Sequence, residues 1–252
     1  MIIDSPTPVP APSLKRLWRE AFGDTEEFLD TFFTTAFSAD RFRCAMEDGE
    51  AVAALYWFDC LYEGGRIAYI YAVATAKSHR GRGLCRTLMA DTHAHLSRLG
   101  YVGAVLVPCS KELFAFYGRL GYRTCSCVRE LCVTAGDRDI ALRRVDADEY
   151  ARLRRTLLVR GGVIQENENL EFLSAQAELY AGDNFLLAAN EDGGRLRGIE
   201  LLGDVNAAPR ILRALGYAEG RFRTVGNDIP FAMFYPLEDN APVPSYFGLA
   251  FD

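Results

Sequence analysis

The spacing of apolar residues predicts two helices at the start of the chain. An apolar stripe at helical spacing begins at Ser13 and runs to Phe22, where Gly23 ends it. Asp24 followed by Glu27 has the form of a capping box, and it predicts a second amphipathic helix that extends to about residue 37.

The residues that follow alternate between strand and helix patterns. Apolar runs on both sides of Asp48-Gly49 predict a β-hairpin, and the aromatic and β-branched run at 66–75 predicts a buried strand. The later segments continue the alternation: a helix from Leu84 that ends at Gly100, a strand at 103–108, a helix at 110–120 and a closing hairpin at 122–134. This order predicts an α/β fold of the mixed-sheet α+β type.

The stretch "SHRGRGLCRTLM" (78–89) joins the buried strand to a helix and has the composition of an anion site. Gly81 and Gly83 let the backbone turn tightly and let a ligand approach without a Cβ in the way. The helix that follows points free N–H groups at the loop and carries a partial positive charge. Three arginines would neutralise a phosphate there: Arg80, Arg82 and Arg86.

The arginine-glycine loop matches neither of the two best-known phosphate motifs. The dinucleotide fingerprint fails because position 86 is Arg rather than Gly, and a P-loop fails because no Gly-Lys-Ser/Thr follows. An exposed arginine-rich turn is the plainest alternative to a phosphate cradle. A second motif elsewhere in the chain decides in favour of a cradle.

"YAVATAKSHRGRGL" and, some thirty residues later, "ELFAFYGRLGYRTC" together resemble the GNAT superfamily of acetyl-CoA-dependent N-acetyltransferases over residues 13–135. The resemblance implies that the cofactor's pantetheine arm lies along the backbone of Val73, Ala74 and Thr75. It also implies that loop amides hold the pyrophosphate of acetyl-CoA, and by position these belong to Gly81, Arg82, Gly83, Leu84, Cys85 and Arg86. Two departures from the family pattern are Cys85, in place of a small residue, and Ser110, where many members have Asn.

Tyr117 is the predicted catalytic residue. A phenol with a pKa near 10 can protonate a leaving thiolate whose thiol pKa is near 8.5. The competing interpretation places Tyr117 in the apolar face of its helix. No base is assigned, since Asp59, Glu63, a water chain and the terminal carboxylate of Asp252 all remain open.

The second part of the chain repeats the first in shortened form. Residues 103–122 align with 198–217 at an offset of 95 with five identities in twenty, and "EFL" and "EDG" recur at an offset of 144. The change of offset means that 49 residues are missing, including the fourth strand, the arginine-glycine loop and its helix. We therefore predict a GNAT acetyltransferase domain at 1–135 and a degenerate GNAT-like domain at 136–252, in which Leu212 stands at the position of Tyr117. This layout is similar to that of the enhanced intracellular survival acetyltransferases, although their third domain has no counterpart here.

Composition and charge narrow the function classes. The net charge of −6 arises entirely in residues 136–252, which carry 13 basic and 19 acidic groups. Because nucleic acids are negatively charged, we do not expect such an acidic chain to bind them. Seven cysteines without a C-x-x-C pair and only three histidines predict free thiols and no metal site. We see no signal peptide and no apolar run long enough for a membrane span, and we expect a cytoplasmic protein with no membrane partner.

The sequence thus favours an enzyme that transfers acetyl from acetyl-CoA to a primary amine of a small molecule or peptide. A non-catalytic acyl-CoA-binding or regulatory protein is the alternative, and the missing base favours it. An aminoacyl-transferase acting on charged RNA is a third possibility that the acidic surface opposes. The amine itself and the oligomeric state are left open by the sequence.

Overall fold

A computed structural model of the protein describes residues 2–251. The chain forms two compact units that are interleaved in sequence. The first comprises the residues up to Leu106 with Arg119–Gly121 and Tyr235–Pro242, and the second comprises Val107–Gly118, Tyr122–Phe234 and the residues from Val243 onward. The boundary after residue 135 stays a prediction about the organisation of the sequence.

Within residues 2–251, the first unit is a five-stranded sheet with three helices. The helices are α1 (Ala11–Phe22), α2 (Glu26–Thr35) and α3 (Leu84–Arg98), and the strands are β1 (Ile2–Asp4), β2 (Phe42–Glu47), β3 (Glu50–Tyr62), β4 (Gly65–Thr75) and β5 (Tyr101–Leu106). The strands lie in sequence order, and all neighbours are antiparallel except β4 and β5, which are parallel.

Helices cover the central strands of this sheet, which accounts for the nearly continuous burial of β3 and β4. Trp18 of α1 and Phe32 of α2 pack their rings against Tyr56 of β3, with centroids 5.1 and 5.2 Å apart. Helix α3 buries Leu88 and Leu96. The position of α3, and therefore of the loop that precedes it, is fixed by this packing.

Among the same described residues, the second unit has four helices and a seven-stranded sheet. The helices are α4 (Lys111–Gly118), α5 (Ala147–Leu157), α6 (Glu168–Ser174) and α7 (Ala208–Leu215). The strands are β6 (Arg123–Thr134), β7 (Arg143–Arg144), β8 (Ile164–Gln165), β9 (Glu178–Ala181), β10 (Phe185–Asp192), β11 (Arg195–Gly203), β12 (Glu219–Val225) and β13 (Ile229–Pro236). Strand β8 is not part of the seven-stranded order. The last two residues of β13 belong to the first unit. The sheet order is β13-β6-β12-β11-β10-β9-β7, antiparallel apart from the parallel pair β11 and β12.

The second unit contains a shortened version of the first unit's pattern. Two helices (α5 and α6) precede a hairpin, whose second strand β11 leads through residues 204–207 directly into α7. The first unit's β2–β3 hairpin turns at Asp48-Gly49, and the β10–β11 hairpin turns at Gly193-Gly194. The connection of four residues between β11 and α7 has no room for an arginine-glycine loop.

A buried ion pair fixes the end of the chain inside the second unit. Arg154 of α5 donates from Nε and NH2 to the two carboxylate oxygens of Glu200 on β11, at 2.7 and 2.9 Å. The hydroxyl of Tyr246 donates to the same carboxylate at 3.0 Å, and Gln165 holds the backbone of Leu249 through its side-chain amide. Because Arg154 and Glu200 are both buried, removal of either one would leave the other as an uncompensated charge.

The mixed α/β class predicted from the sequence is confirmed, and three local predictions are wrong. The cap of α2 is Thr25, whose hydroxyl accepts from the Phe28 amide, while Asp24 accepts from the Trp18 indole. Helix α4 ends at Gly118, two residues before the predicted end. The predicted hairpin at 122–134 is instead one continuous strand, Arg123–Thr134, because the segment has no turn residue in its middle and pairs with the distant strands β12 and β13.

No helix in the part of the chain described, residues 2–251, is long and apolar enough to cross a membrane.

Candidate active site

A β-bulge distorts β4 just before the predicted pantetheine segment. Ala54 of β3 is opposite Ala74, but Tyr56 is opposite Tyr71, so two residues of β4 face the single Leu55. Ala72 takes up the extra length with a φ of 47°, a conformation that residues with a Cβ seldom adopt. The bulge turns the end of β4 away from its regular course.

Beyond the bulge, β4 extends past its parallel neighbour. Among the described residues, the register of β4 with β5 runs from Arg66 to Tyr69, whereas β4 continues for six residues more, to Thr75. Ala74 and Thr75 pair with β3 on their other edge. The edge that faces away from β3 at 73–75 can therefore offer backbone N–H and C=O groups to an extended ligand.

The loop after β4 is shaped by its two glycines. After a single 3₁₀ turn at Lys77–His79, Gly81 and Gly83 have φ of 76° and 78°. Gly83 is the N-cap of α3, and it has no side chain that could bond the first-turn amides. A Cβ built at either glycine meets no atom within 4 Å, so the space in front of these amides is open. The binding of a phosphate at this helix end stays a prediction.

The loop arginines are exposed at this helix end. Arg80 donates from Nε to the carbonyl of Thr75 at 3.1 Å, and a nitrogen of Arg82 lies 3.9 Å from a carboxylate oxygen of Glu47. Arg86, in the first turn of α3, is exposed as well. Leu84 is buried under the helix, so the loop has a fixed inner side and a charged outer side.

The thiol of Cys85 lies at the second position of α3 and is partly buried. Burial raises the pKa of Cys85 to about 11, so the group is a neutral thiol near pH 7. A short neutral side chain at this position leaves the amide of Cys85 available. The departure from the family's small residue is therefore compatible with the loop's geometry.

Tyr117 belongs to the second compact unit, on the last turn of α4. It is buried, and its ring makes edge contacts with Phe116 at 5.2 Å and with Tyr122 at 5.8 Å. Ser110 begins this helix, and its hydroxyl accepts from the Leu113 amide at 3.3 Å. Ser110 thus has a capping role in α4.

The sequence of the first part matches one protein family. Residues 7–125 match the family model described as an acetyltransferase (GNAT) domain. This segment belongs to the GNAT acetyltransferases. No curated protein gives a significant sequence match to the chain.

Solved structures extend the similarity in fold beyond the GNAT segment. The chain is similar to a GCN5-related N-acetyltransferase from Kribbella flavida, with a TM-score of 0.73 and 19% identity over 95% of this chain and 72% of the other. A GCN5-related N-acetyltransferase from Anabaena variabilis gives a TM-score of 0.74 and 15% identity over 94% of this chain and 73% of the other. Eis1 from Mycobacterium abscessus gives a TM-score of 0.64 and 12% identity over 96% of this chain and 75% of the other. These matches include both parts of the chain and confirm the predicted GNAT fold class.

The carboxylates left open as bases have different surroundings in the structure. Asp59 accepts a hydrogen bond from the Tyr101 hydroxyl and lies 3.5 and 3.8 Å from nitrogens of Arg66 and Arg41. Its carboxylate oxygens are therefore engaged by protein side chains. Glu63 is exposed in the β3–β4 turn, and Asp252 lies outside the described residues. The base stays unassigned.

In the second part of the chain, the position that aligns with Tyr117 holds an apolar residue. Leu212 of α7 is fully buried, in one cluster with Ile211 and Phe222. Its apolar side chain cannot transfer a proton. Within residues 2–251 there is also no group of three or more His, Cys, Asp or Glu side chains that could hold a metal ion.

Two features of the GNAT segment escaped sequence reasoning. The bulge at Ala72 has no sequence signal, because alanine is an ordinary strand residue and only the register reveals the extra position. The carboxylates that hold the loop, Glu20 and Glu47, are distant in sequence. The "EDG" turn signal predicts where Glu47 lies along the hairpin, but not what its side chain contacts.

Proposed function

We propose that the protein transfers the acetyl group of acetyl-CoA to a primary amine of a small molecule or peptide. The observation that carries the proposal is the bulged end of β4 followed by a glycine-capped, arginine-flanked helix N-terminus. A negatively charged pyrophosphate fits amides that have no side-chain cap and guanidinium groups that are exposed. The residues present therefore suit the cofactor that the family uses.

Each part of the cradle has a separate role in this proposal. The backbone of Val73, Ala74 and Thr75 would hold the extended pantetheine arm along the open strand edge. The amides of residues 81–86 would bond the pyrophosphate oxygens, and the arginines would balance their charge: Arg80, Arg82 and Arg86.

The reaction needs one proton donor and one deprotonated amine. The amine nitrogen attacks the thioester carbonyl carbon, a C–N bond forms, and the C–S bond breaks to release a thiolate. Tyr117 would donate the proton that converts this thiolate to free CoA. The attacking amine must lose a proton to solvent or to an unassigned base, and direct attack requires no acyl-enzyme.

The non-catalytic alternative, an acyl-CoA-binding or regulatory protein, rests on one specific observation. Asp59, a carboxylate near the end of β3, is engaged by two arginines and a tyrosine. A protein that kept the cradle and lost turnover would show this arrangement. It would bind acetyl-CoA and release no CoA.

Transfer is tested by following free thiol in the presence of acetyl-CoA and a panel of amines: a polyamine, an aminoglycoside, a lysine peptide and a peptide with a free N-terminus. We expect thiol release that depends on at least one amine, with a matching acetylated product by mass spectrometry. Acetyl-CoA binding without amine-dependent release would favour the alternative. Absence of binding would refute both.

A further inference from the structure

The arginine-glycine loop is anchored by a carboxylate from another element. Glu47 is the last residue of β2, and its Oε2 lies 2.5 Å from Nε2 of His79. Its other oxygen lies 3.9 Å from the guanidinium of Arg82. One side chain of the hairpin therefore contacts the loop on both sides of Gly81.

His79 is held at both ring nitrogens. Nδ1 lies 2.8 Å from the hydroxyl of Ser78, so a neutral imidazole can donate from Nε2 to Glu47 and accept at Nδ1 from Ser78. The His79 side chain is mostly buried, whereas Glu47 is about two-fifths exposed. The hydrogen bond from His79 lowers the pKa of Glu47, which is therefore ionised near pH 7.

A second carboxylate holds the start of the same loop. Glu20 of α1 accepts the backbone N–H of Lys77 at 2.6 Å. The two anchors differ in kind, because Glu20 bonds only the backbone and Glu47 contacts the side chains nearest the glycines. Glycines have the largest conformational freedom to lose, so a loop with two of them benefits most from such an anchor.

We propose that Glu47 is a positioning residue for the cofactor loop. Through His79 it fixes residues 77–83 before the cofactor arrives, and it pairs with Arg82 until phosphate oxygens take its place. The inference rests on the proposed function for its second half only. The first half concerns the free protein and can be tested without any ligand.

Neutralising Glu47 has two opposite effects on an anionic ligand. It removes a negative charge near the loop, which favours binding, and it weakens the hydrogen bond that holds the loop, which disfavours binding. Glu50→Gln separates the two, because Glu50 lies across the same hairpin turn and pairs with Ser13 and Arg16 of α1 instead of the loop. Both variants lose one charge from one turn, and only in Glu47→Gln does the charge-assisted hydrogen bond to the loop become a weaker neutral one.

The first measurement is hydrogen exchange of the free protein. We expect the amides of 78–83 to exchange roughly three to ten times faster in Glu47→Gln than in Glu50→Gln, the range for a hydrogen bond to a charged group at a partly exposed site. His79→Phe removes the same contact completely from the other side and should give at least the same increase. Because the two residues act as a unit, the double variant should add little. Equal exchange in Glu47→Gln and Glu50→Gln would overturn the proposal.

The second measurement is acetyl-CoA affinity by calorimetry, with kinetics beside it. Glu47→Gln should bind acetyl-CoA about threefold to tenfold more weakly than Glu50→Gln and raise its KM by a similar factor, with kcat unchanged. A purely structural role would lower Tm without this difference in affinity. Matching affinities in the two variants would reject a positioning role. If the wild-type protein does not bind acetyl-CoA, the proposed function fails, while the exchange result still decides whether Glu47 anchors the loop.

Discussion

At the level of single residues, the proposed chemistry depends on one hydroxyl group and two glycines. Tyr117 is buried among aromatic rings, which suits either a core residue or a shielded proton donor. The sequence singles it out only through the family motif, since burial and helical position alone would place it in the core.

The role of Tyr117 is tested by removal of its hydroxyl. Tyr117→Phe keeps the ring packing, and we expect kcat to fall roughly 10²-fold or more while acetyl-CoA affinity changes little, as for the loss of a general acid. Tyr122→Phe is the matched control, because Tyr122 is a buried tyrosine whose ring contacts Tyr117. Steady-state thiol release is the measurement. Equal kcat in the two variants would return Tyr117 to the hydrophobic core.

At the level of helices and strands, the sequence predicts regular segments well and long-range pairing poorly. The Asp48-Gly49 hairpin, the buried β4 and the glycine-capped α3 all carry local signals in turn chemistry or periodicity, and all are present. The local pattern of β6 predicts a hairpin, whereas its strand partners β12 and β13 are about a hundred residues away in sequence. The register shift at Ala72 is likewise set by pairing with β3, which no local pattern encodes.

The candidate site shows the same division. Its glycines and arginines are predictable, because each supplies a local property: a positive φ, an uncapped helix end or a charge. Their supports are not predictable, because Glu20 and Glu47 reach the loop from α1 and β2. The sequence therefore predicts which residues meet the ligand, and the fold determines what holds them in place.

For the molecule as a whole, one buried histidine links folding to pH. His93 of α3 stacks on Tyr235 with ring centroids 4.1 Å apart, and burial lowers the pKa of His93 to about 4 from an ordinary value of 6.5. Between these values the unfolded chain binds a proton that the folded chain does not. His93 therefore makes its full contribution to the free energy of unfolding above pH 6.5, and this contribution is lost as the pH falls toward 4.

This linkage predicts a loss on the order of 3 kcal/mol between pH 6.5 and pH 4 from His93 alone. His93→Phe keeps a ring against Tyr235 and removes the titration, so its stability should decline less over this range. Urea unfolding of both proteins at several pH values gives the comparison. Parallel declines would show that His93 has no part in the acid sensitivity.

The proposed function as a whole requires that the open N-terminus of α3, capped by Gly83, receives the pyrophosphate of acetyl-CoA. Gly83 and Gly100 are at opposite ends of the same helix, both have φ of 78°, and a Cβ at either meets no atom within 4 Å. Valine at either position therefore imposes similar backbone strain, but only at Gly83 does it obstruct the approach to the helix amides.

Calorimetric titration of acetyl-CoA into Gly83→Val and Gly100→Val decides whether the cofactor binds at this helix end. We predict that Gly83→Val weakens binding at least about tenfold, equivalent to roughly 1.4 kcal/mol, while Gly100→Val binds like the wild-type protein. Equal affinity in the two variants would contradict the proposed function, because the helix end that Gly83 caps would then not be where the cofactor's phosphates bind.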